Sequence, residues 1–270
     1  MQFGVNVRSI DSPAAFAAHV RRADELGYDV LAVPDHIGAP DPFVVLATAA
    51  QLSARLRLRT YVLNAGFHNA ALLARAVATL DALSGGRVEL GLGTGYAKDE
   101  FAAARLPFLP YPERLAAMEA LAIGVREHLA TPVPLVIGAM SRRGLAVAAR
   151  HADIVAFAGL RITPAGFAMS GPEETDAAIA QVRNAAAGRP YRSDVLLQAV
   201  TVEGDPRAQA AAWAPEMDVD ALLASPYALF APDPASARAE LEHRRTRWGF
   251  DCFMTHAPHL EALGAVIAAG

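Results

Sequence analysis

The chain has 270 residues, 53% hydrophobic and 19% charged, with a formal net charge of −4 and a single cysteine, Cys252. That much apolar material supports a sizeable core. The mild negative charge excludes an electrostatic footprint for nucleic acid or an anionic membrane, and one cysteine excludes an intramolecular disulfide framework or a cysteine-based metal cluster.

The start, MQFGVNV, goes directly into an apolar strand pattern without the basic region and long apolar run of a signal peptide. No uninterrupted apolar run is long enough to span a bilayer, so a soluble cytoplasmic protein is expected. Strand-like runs fall at residues 3–7, 30–33, 58–63, 88–92, 135–137, 154–157, 195–202 and 250–254. Ser12-Pro13, Asp41-Pro42, Asp205-Pro206 and Asp233-Pro234 each join a side-chain cap to a proline, and so mark helix starts. Leu72, Leu73, Ala76, Val77, Leu80 and Leu83 recur at helical spacing, as do Leu115, Met118, Leu121, Val125 and Leu129. Gly27, Gly85, Gly188 and Gly249 follow helices, where a left-handed stop is expected.

Strands alternating with helices imply parallel βα units. Eight such units predict an α/β fold, a single (β/α)8 TIM barrel over residues 1–270, with a doubly wound sheet as the rival. Residues 159–172 and roughly 213–234 read as irregular stretches after late strands, where barrel enzymes carry substrate loops.

In a barrel the active-site rim follows each strand. The rim residues here are Asn6 and Arg8, Asp35 and His36, Asn64, Thr94 to Lys98, Ser141 to Arg143, Gly159 to Arg161, and Thr255 and His256. The run GLGTGY fits a dinucleotide fingerprint poorly, because its glycines are spaced G-x-G-x-G and it follows the fourth strand rather than the first. Lys98 is the only lysine and lies in a polar run, which disfavours Schiff-base chemistry. The first strand has no histidine pair. His36 and His256 have no clear further ligands, so no metal site is expected. No G-x-S-x-G elbow occurs. There remains a barrel whose bound cofactor does the redox chemistry.

The segments GYDVLAVPDH, RLRLRTYVLN, ALLARAVATLDALSGGRVELGLGTGYAKDEF and RRTRWGFDCFMTH resemble the bacterial luciferase-like monooxygenase superfamily. More closely they resemble its deazaflavin-dependent branch, which uses coenzyme F420. The resemblance covers nearly the whole chain and implies the luciferase-like barrel. It implies that GLGTGY walls a flavin-type pocket, its glycines letting the backbone approach a flat ring. It implies catalytic roles at His36 and Tyr96, with Asp35 beside His36 orienting the imidazole. Because histidine titrates near neutral pH and tyrosine near 10, His36 is expected to carry the proton more than Tyr96. For cofactor binding the resemblance implies Asn64, Gly93, Thr94 and Gly95, and the turn Gly138, Ala139, Met140, Ser141 and Arg142, whose helix start can face an anion with Arg143 nearby. A non-prolyl cis peptide at Tyr61–Val62 is also implied.

Three features depart from the family pattern. His68-Asn69-Ala70 stands where Arg-His-Pro is common, Tyr96 stands where some dehydrogenases carry glutamate, and the stretch from Leu129 to Pro134 is short. The expected activity is hydride transfer between F420 and a small organic substrate at a C=C, C=N or C=O bond. The alternatives are an FMN-dependent monooxygenase and a non-catalytic partner barrel. A small-molecule substrate is expected, with no nucleic acid and no membrane; a homodimer stays open.

Overall fold

In the computed structural model, residues 1–163, 166–213 and 217–270 are described. Their strands are β1 (Gln2–Asn6), β2 (Val30–Val33), β3 (Arg57–Thr60), β4 (Leu63–Asn64), β5 (Val88–Gly93), β6 (Leu135–Ala139), β7 (Ile154–Phe157), β8 (Leu160–Thr163), β9 (Gly166–Met169), β10 (Arg192–Leu196), β11 (Ala199–Val202), β12 (Ala228–Ala231) and β13 (Cys252–His256). β1, β2, β3, β5, β6, β7, β10 and β13 pair in parallel, and the ring closes through β13 onto β1 and through β3 onto β5. This is the expected eight-stranded barrel with helices outside.

Two predicted strands are divided. The run 58–63 breaks at a cis peptide between Tyr61 and Val62, after which β4 resumes pairing with β5. The run 195–202 leaves the barrel after Leu196. The Leu197 N–H still reaches the Met254 carbonyl, but the Gln198 N–H turns to Tyr227, and β11 pairs with β12 in a separate two-stranded sheet. The last strand also lies slightly later than predicted, ending at His256. The first irregular stretch contains the antiparallel hairpin β8–β9, apart from residues 164–165, which lie outside the described residues. The second contains the helix Val219–Ala224 and β12, with residues 214–216 likewise outside the description.

Local chemistry accounts for the helix ends. Ser12, Asp41 and Asp233 accept the backbone N–H of Ala15, Val44 and Ser236, and each helix has proline in its first turn. Asp205 accepts from the Arg207 N–H at 2.9 Å. Gly85 and Gly249 end their helices in the left-handed region that favours glycine. The Ser-Gly-Gly-Arg segment has a structural task. Arg87 bonds the carbonyls of Ser84, Leu56 and Ala50, tying the end of helix Ala70–Ser84 to its neighbours.

The apolar core has two layers. One lies between strands and helices; the other fills the barrel with Val30, Ala32, Tyr61, Val136, Ile154, Ala156, Leu196, Cys252 and Met254. Toward the N-terminal end of the strands, the interior turns ionic. Arg59, Glu89 and Asp194 are each 0% exposed. Arg59 bonds Glu89 at 2.7 Å and pairs with Asp194, while the Tyr61 hydroxyl donates to Asp194 at 2.7 Å. This plug links β3, β5 and β10 beneath the site. Among the described residues, no helix is long and apolar enough to cross a membrane.

Candidate active site

A cavity of about 660 Å³ opens at the C-terminal ends of the barrel strands. Parallel βα units deliver the residue after each strand to this end, so residues far apart in sequence meet here. The wall includes His36, Tyr96, Asp35, Asn64, Gly93, Thr94, Gly95, Gly138, Ala139, Met140 and Ser141. Eleven of the twelve predicted site residues therefore share one cavity. Arg142 is the exception. It is exposed, and its guanidinium bonds Gln181 at 3.2 Å, away from the cavity.

The imidazole of His36 is held by a residue that sequence reasoning missed. His36 Nδ1 lies 2.7 Å from Glu100 Oε1, from the short helix Lys98–Ala103. A carboxylate at Nδ1 fixes that nitrogen as the donor and leaves Nε2 as the acceptor in the neutral ring. Tyr96 lies edge-on to His36 with ring centroids 5.9 Å apart, and Phe167 of the β8–β9 hairpin lies edge-on to Tyr96 at 5.5 Å. Burial raises the Tyr96 phenol above its ordinary pKa, so the group is a neutral hydroxyl near pH 7.

Asp35 does not orient His36. Its Oδ2 accepts the Asn64 N–H at 3.1 Å and meets His68 Nε2 at 3.0 Å. The backbone explains the difference. Asp35 and His36 are consecutive, so their side chains diverge, and Asp35 turns toward the residues following β4. His68, a departure from the family pattern, is thereby the partner of Asp35.

Gly93 and Gly95 of GLGTGY lie on the cavity wall, as expected, and the glycines of this run also serve a second purpose. A Cβ on Gly91 would lie 2.0 Å from the Thr60 carbonyl oxygen, one on Gly93 2.6 Å from Val62, and one on Gly95 2.3 Å from Asn64. Protein atoms already occupy the space these glycines leave. They admit the bulged end of the third strand, whose Tyr61, Val62 and Leu63 line the cavity beside Gly93 and Gly95.

Across the cavity, Ser141 caps the helix Arg142–His151 through the Gly144 N–H at 3.0 Å and shares a short hydrogen bond with Tyr111. Arg114 supplies the cation beside this turn. Its guanidinium bonds the Gly95 and Leu109 carbonyls and stacks 4.0 Å from the Phe108 ring centroid. On the opposite wall, His256 Nε2 meets Gln198 Oε1 at 3.3 Å. Burial, followed by the charges of Arg8 and His259, lowers the His256 pKa to about 4, so the ring is neutral at pH 7. His36 and His256 thus take different partners. Lys98 is exposed outside the cavity. Nothing in the sequence linked Glu100 to His36 or Arg114 to Gly95, because both pairings exist only once the loops fold over the barrel mouth.

Comparison with known proteins agrees with this architecture. The chain matches the Luciferase-like monooxygenase family over residues 1–251, and it belongs to that family. Among curated proteins, it is 37% identical over 115 residues to F420-dependent glucose-6-phosphate dehydrogenase of Intrasporangium calvum; that match covers 38% of this chain and 34% of that protein. It is 33% identical over 95 residues to 5,10-methylenetetrahydromethanopterin reductase of Methanolobus tindarius, covering 35% and 29%. These matches span about a third of the relatives' own length. In fold, the chain is similar to an F420-dependent secondary alcohol dehydrogenase bound to an F420-acetone adduct, with a TM-score of 0.79, 17% identity, and coverage of 99% and 98%. A monooxygenase from Streptomyces bottropensis has a TM-score of 0.74 at 21% identity, covering 100% and 97%.

Proposed function

We propose that the protein is an oxidoreductase moving hydride between a deazaflavin of the F420 type and a small organic substrate at a C=C, C=N or C=O bond. The His36–Glu100 pair at 2.7 Å carries this reading, because it sets an oriented proton acceptor on the wall of a cavity large enough for a ring and a substrate. The F420-dependent relatives support the choice of cofactor.

The residues present fit such a group. The bulge Tyr61–Leu63 offers an apolar surface for a flat ring. The start of helix Arg142–His151 has first-turn N–H groups without intrahelical acceptors, and with Arg114 it suits an anionic tail. When bound, the deazaflavin supplies a ring carbon that gives or accepts hydride.

The chain supplies the rest. For a C=O substrate, His36 Nε2 takes the proton of the corresponding hydroxyl during oxidation and returns it during reduction; for C=N or C=C it exchanges the proton at nitrogen or carbon. Glu100 keeps Nδ1 protonated and stabilises the imidazolium that forms. Tyr96 donates a neutral hydrogen bond and, with Phe167, limits water at the mouth.

Titration of the purified protein with F420 and with FMN tests the proposal. Quenching of deazaflavin fluorescence at lower concentration than FMN binding supports it. Equal or tighter FMN binding turns the reading to a flavin monooxygenase, and binding of neither cofactor to a non-catalytic barrel.

A further inference from the structure

Asn6 ends β1 and Arg8 follows two residues later, and both line the cavity. Asn6 is 4% exposed, yet its Oδ1 has no hydrogen-bond partner among the described residues. A buried carboxamide oxygen left unpaired costs free energy unless a ligand supplies the donor.

Arg8 is equally unmatched. It has no ion pair or hydrogen bond among the described residues, whereas the other guanidiniums of the wall are engaged: Arg161 with Glu174 at 3.1 Å and Arg114 with two carbonyls. The acids of the cavity are taken too, Glu100 by His36 and Asp35 by His68. The field of Arg8 reaches Tyr96 and His256, which places its charge over the same space. His256 is neutral and adds no competing charge.

Barrel order separates this pole from the cofactor turn. Following the ring, β1 is joined to β6 through β13, β10 and β7, four steps around an eight-stranded barrel. The end of β1, which leads to Arg8, therefore lies opposite the end of β6, which leads to Ser141. Between the two poles, Leu160, Ile162, Phe167 and Leu196 present apolar surface.

We infer that Arg8 and Asn6 form an anion subsite for the substrate, which is a small organic acid with an apolar body. Arg8 binds its carboxylate or phosphate, and Asn6 accepts a hydrogen bond from its hydroxyl. This rests on the oxidoreductase reading for the word substrate, but the subsite itself is testable without turnover. An Arg fork matches the paired oxygens of either anion.

Three ligands with one phenyl body separate charge from shape: benzoate, phenyl phosphate and benzamide, each titrated calorimetrically into the full chain. At least one of the anions is expected to bind tenfold or more tightly than benzamide, and the preferred one identifies the head group. Arg8→Gln should reduce that affinity at least tenfold, the range for a charge-assisted hydrogen bond, while Arg8→Lys keeps part of it. The His256 ring resonances should shift on binding to the unaltered chain. Equal binding of benzoate, phenyl phosphate and benzamide, or unchanged anion affinity in Arg8→Gln, would overturn the inference. Deazaflavin quenching measured on the same samples keeps the two readings apart. Anion binding through Arg8 without any cofactor binding leaves the subsite standing and removes the oxidoreductase.

Discussion

His36 Nδ1 and Glu100 Oε1 lie 2.7 Å apart, joining the end of β2 to the helix Lys98–Ala103 across the cavity wall. In the proposed reaction His36 transfers the proton through its other nitrogen. His36→Ala is expected to lower turnover roughly 10²-fold or more, the usual range for a general acid–base group. Glu100→Gln keeps an acceptor but loses the charge that stabilises the imidazolium, and should cost about tenfold, roughly one pKa unit's worth of stabilisation. Tyr96→Phe should act mainly on KM. Steady-state rates at saturating cofactor check all three; near-normal turnover in His36→Ala with inactive Tyr96→Phe would reverse the roles.

Asp35 holds Asn64 and His68 rather than His36. Asp35→Asn is therefore expected to raise the cofactor Kd, because Asn64 lines the cavity next to the Tyr61–Leu63 bulge proposed to face the ring, and to leave turnover at saturating cofactor much closer to normal than His36→Ala does. A fluorescence titration beside a rate measurement separates the two. A loss of turnover equal to that of His36→Ala, with cofactor binding intact, would restore Asp35 to the proton path.

Ser141 and Arg142 are neighbours with opposite orientations. Ser141 caps its helix beside the cavity, whereas Arg142 reaches Gln181. Ser141→Ala should lower stability by about 1 kcal/mol, typical for loss of a cap, and weaken cofactor binding. Arg142→Ala should leave binding nearly unchanged, while Arg114→Ala should weaken it and flatten its dependence on salt. A stronger effect from Arg142 than from Arg114 would mean that the anionic tail lies outside the cavity.

Stability should fall as pH falls below neutrality. Unfolded, His256 takes a proton near its ordinary pKa of 6.5; folded, burial and the nearby positive charges hold that pKa at about 4. The unfolded chain therefore binds more protons between these values, and the contribution is full above about pH 6.5 and lost progressively toward pH 4. A difference of that size is worth about 3 kcal/mol. Burial lowers His19 and His259 in the same direction. Urea unfolding at pH 7 and pH 5 should show the loss, and His256→Gln should make the two midpoints converge. Identical pH dependence in that variant would contradict the assignment.

Beneath the site, Arg59 is the cation between two fully buried carboxylates, Glu89 and Asp194. Arg59→Met leaves both without their shared partner and should cost about 3–5 kcal/mol, as for a broken buried pair. Asp194→Asn keeps an acceptor for the Tyr61 hydroxyl and should cost less. Denaturant unfolding measures both; a change within 1 kcal/mol for Arg59→Met would show that the plug relaxes or hydrates.

The barrel was legible because its signals are local. Strand runs, Ser-Pro and Asp-Pro caps, and glycine stops each act within a few residues, and eight repeats of one unit leave few topologies. The strand ends then named part of the cavity wall, His36, Asn64, Ser141 and His256 among it, since a parallel barrel brings those ends together whatever the loops do. What tertiary structure alone decided was pairing. Asp35 and His36 are adjacent in sequence, but only packing sends one to His68 and the other to Glu100. The spacing of Gly91, Gly93 and Gly95 suggested close approach by a ligand, but only packing shows that Thr60, Val62 and Asn64 press against these glycines from the protein side. The run 195–202 has the apolar content of one strand, and it divides because Gln198 finds its backbone partner at Tyr227 rather than in the barrel wall. Composition and periodicity report which surface a residue prefers to bury. They do not report which distant group will meet it, because that contact forms only after the chain has closed.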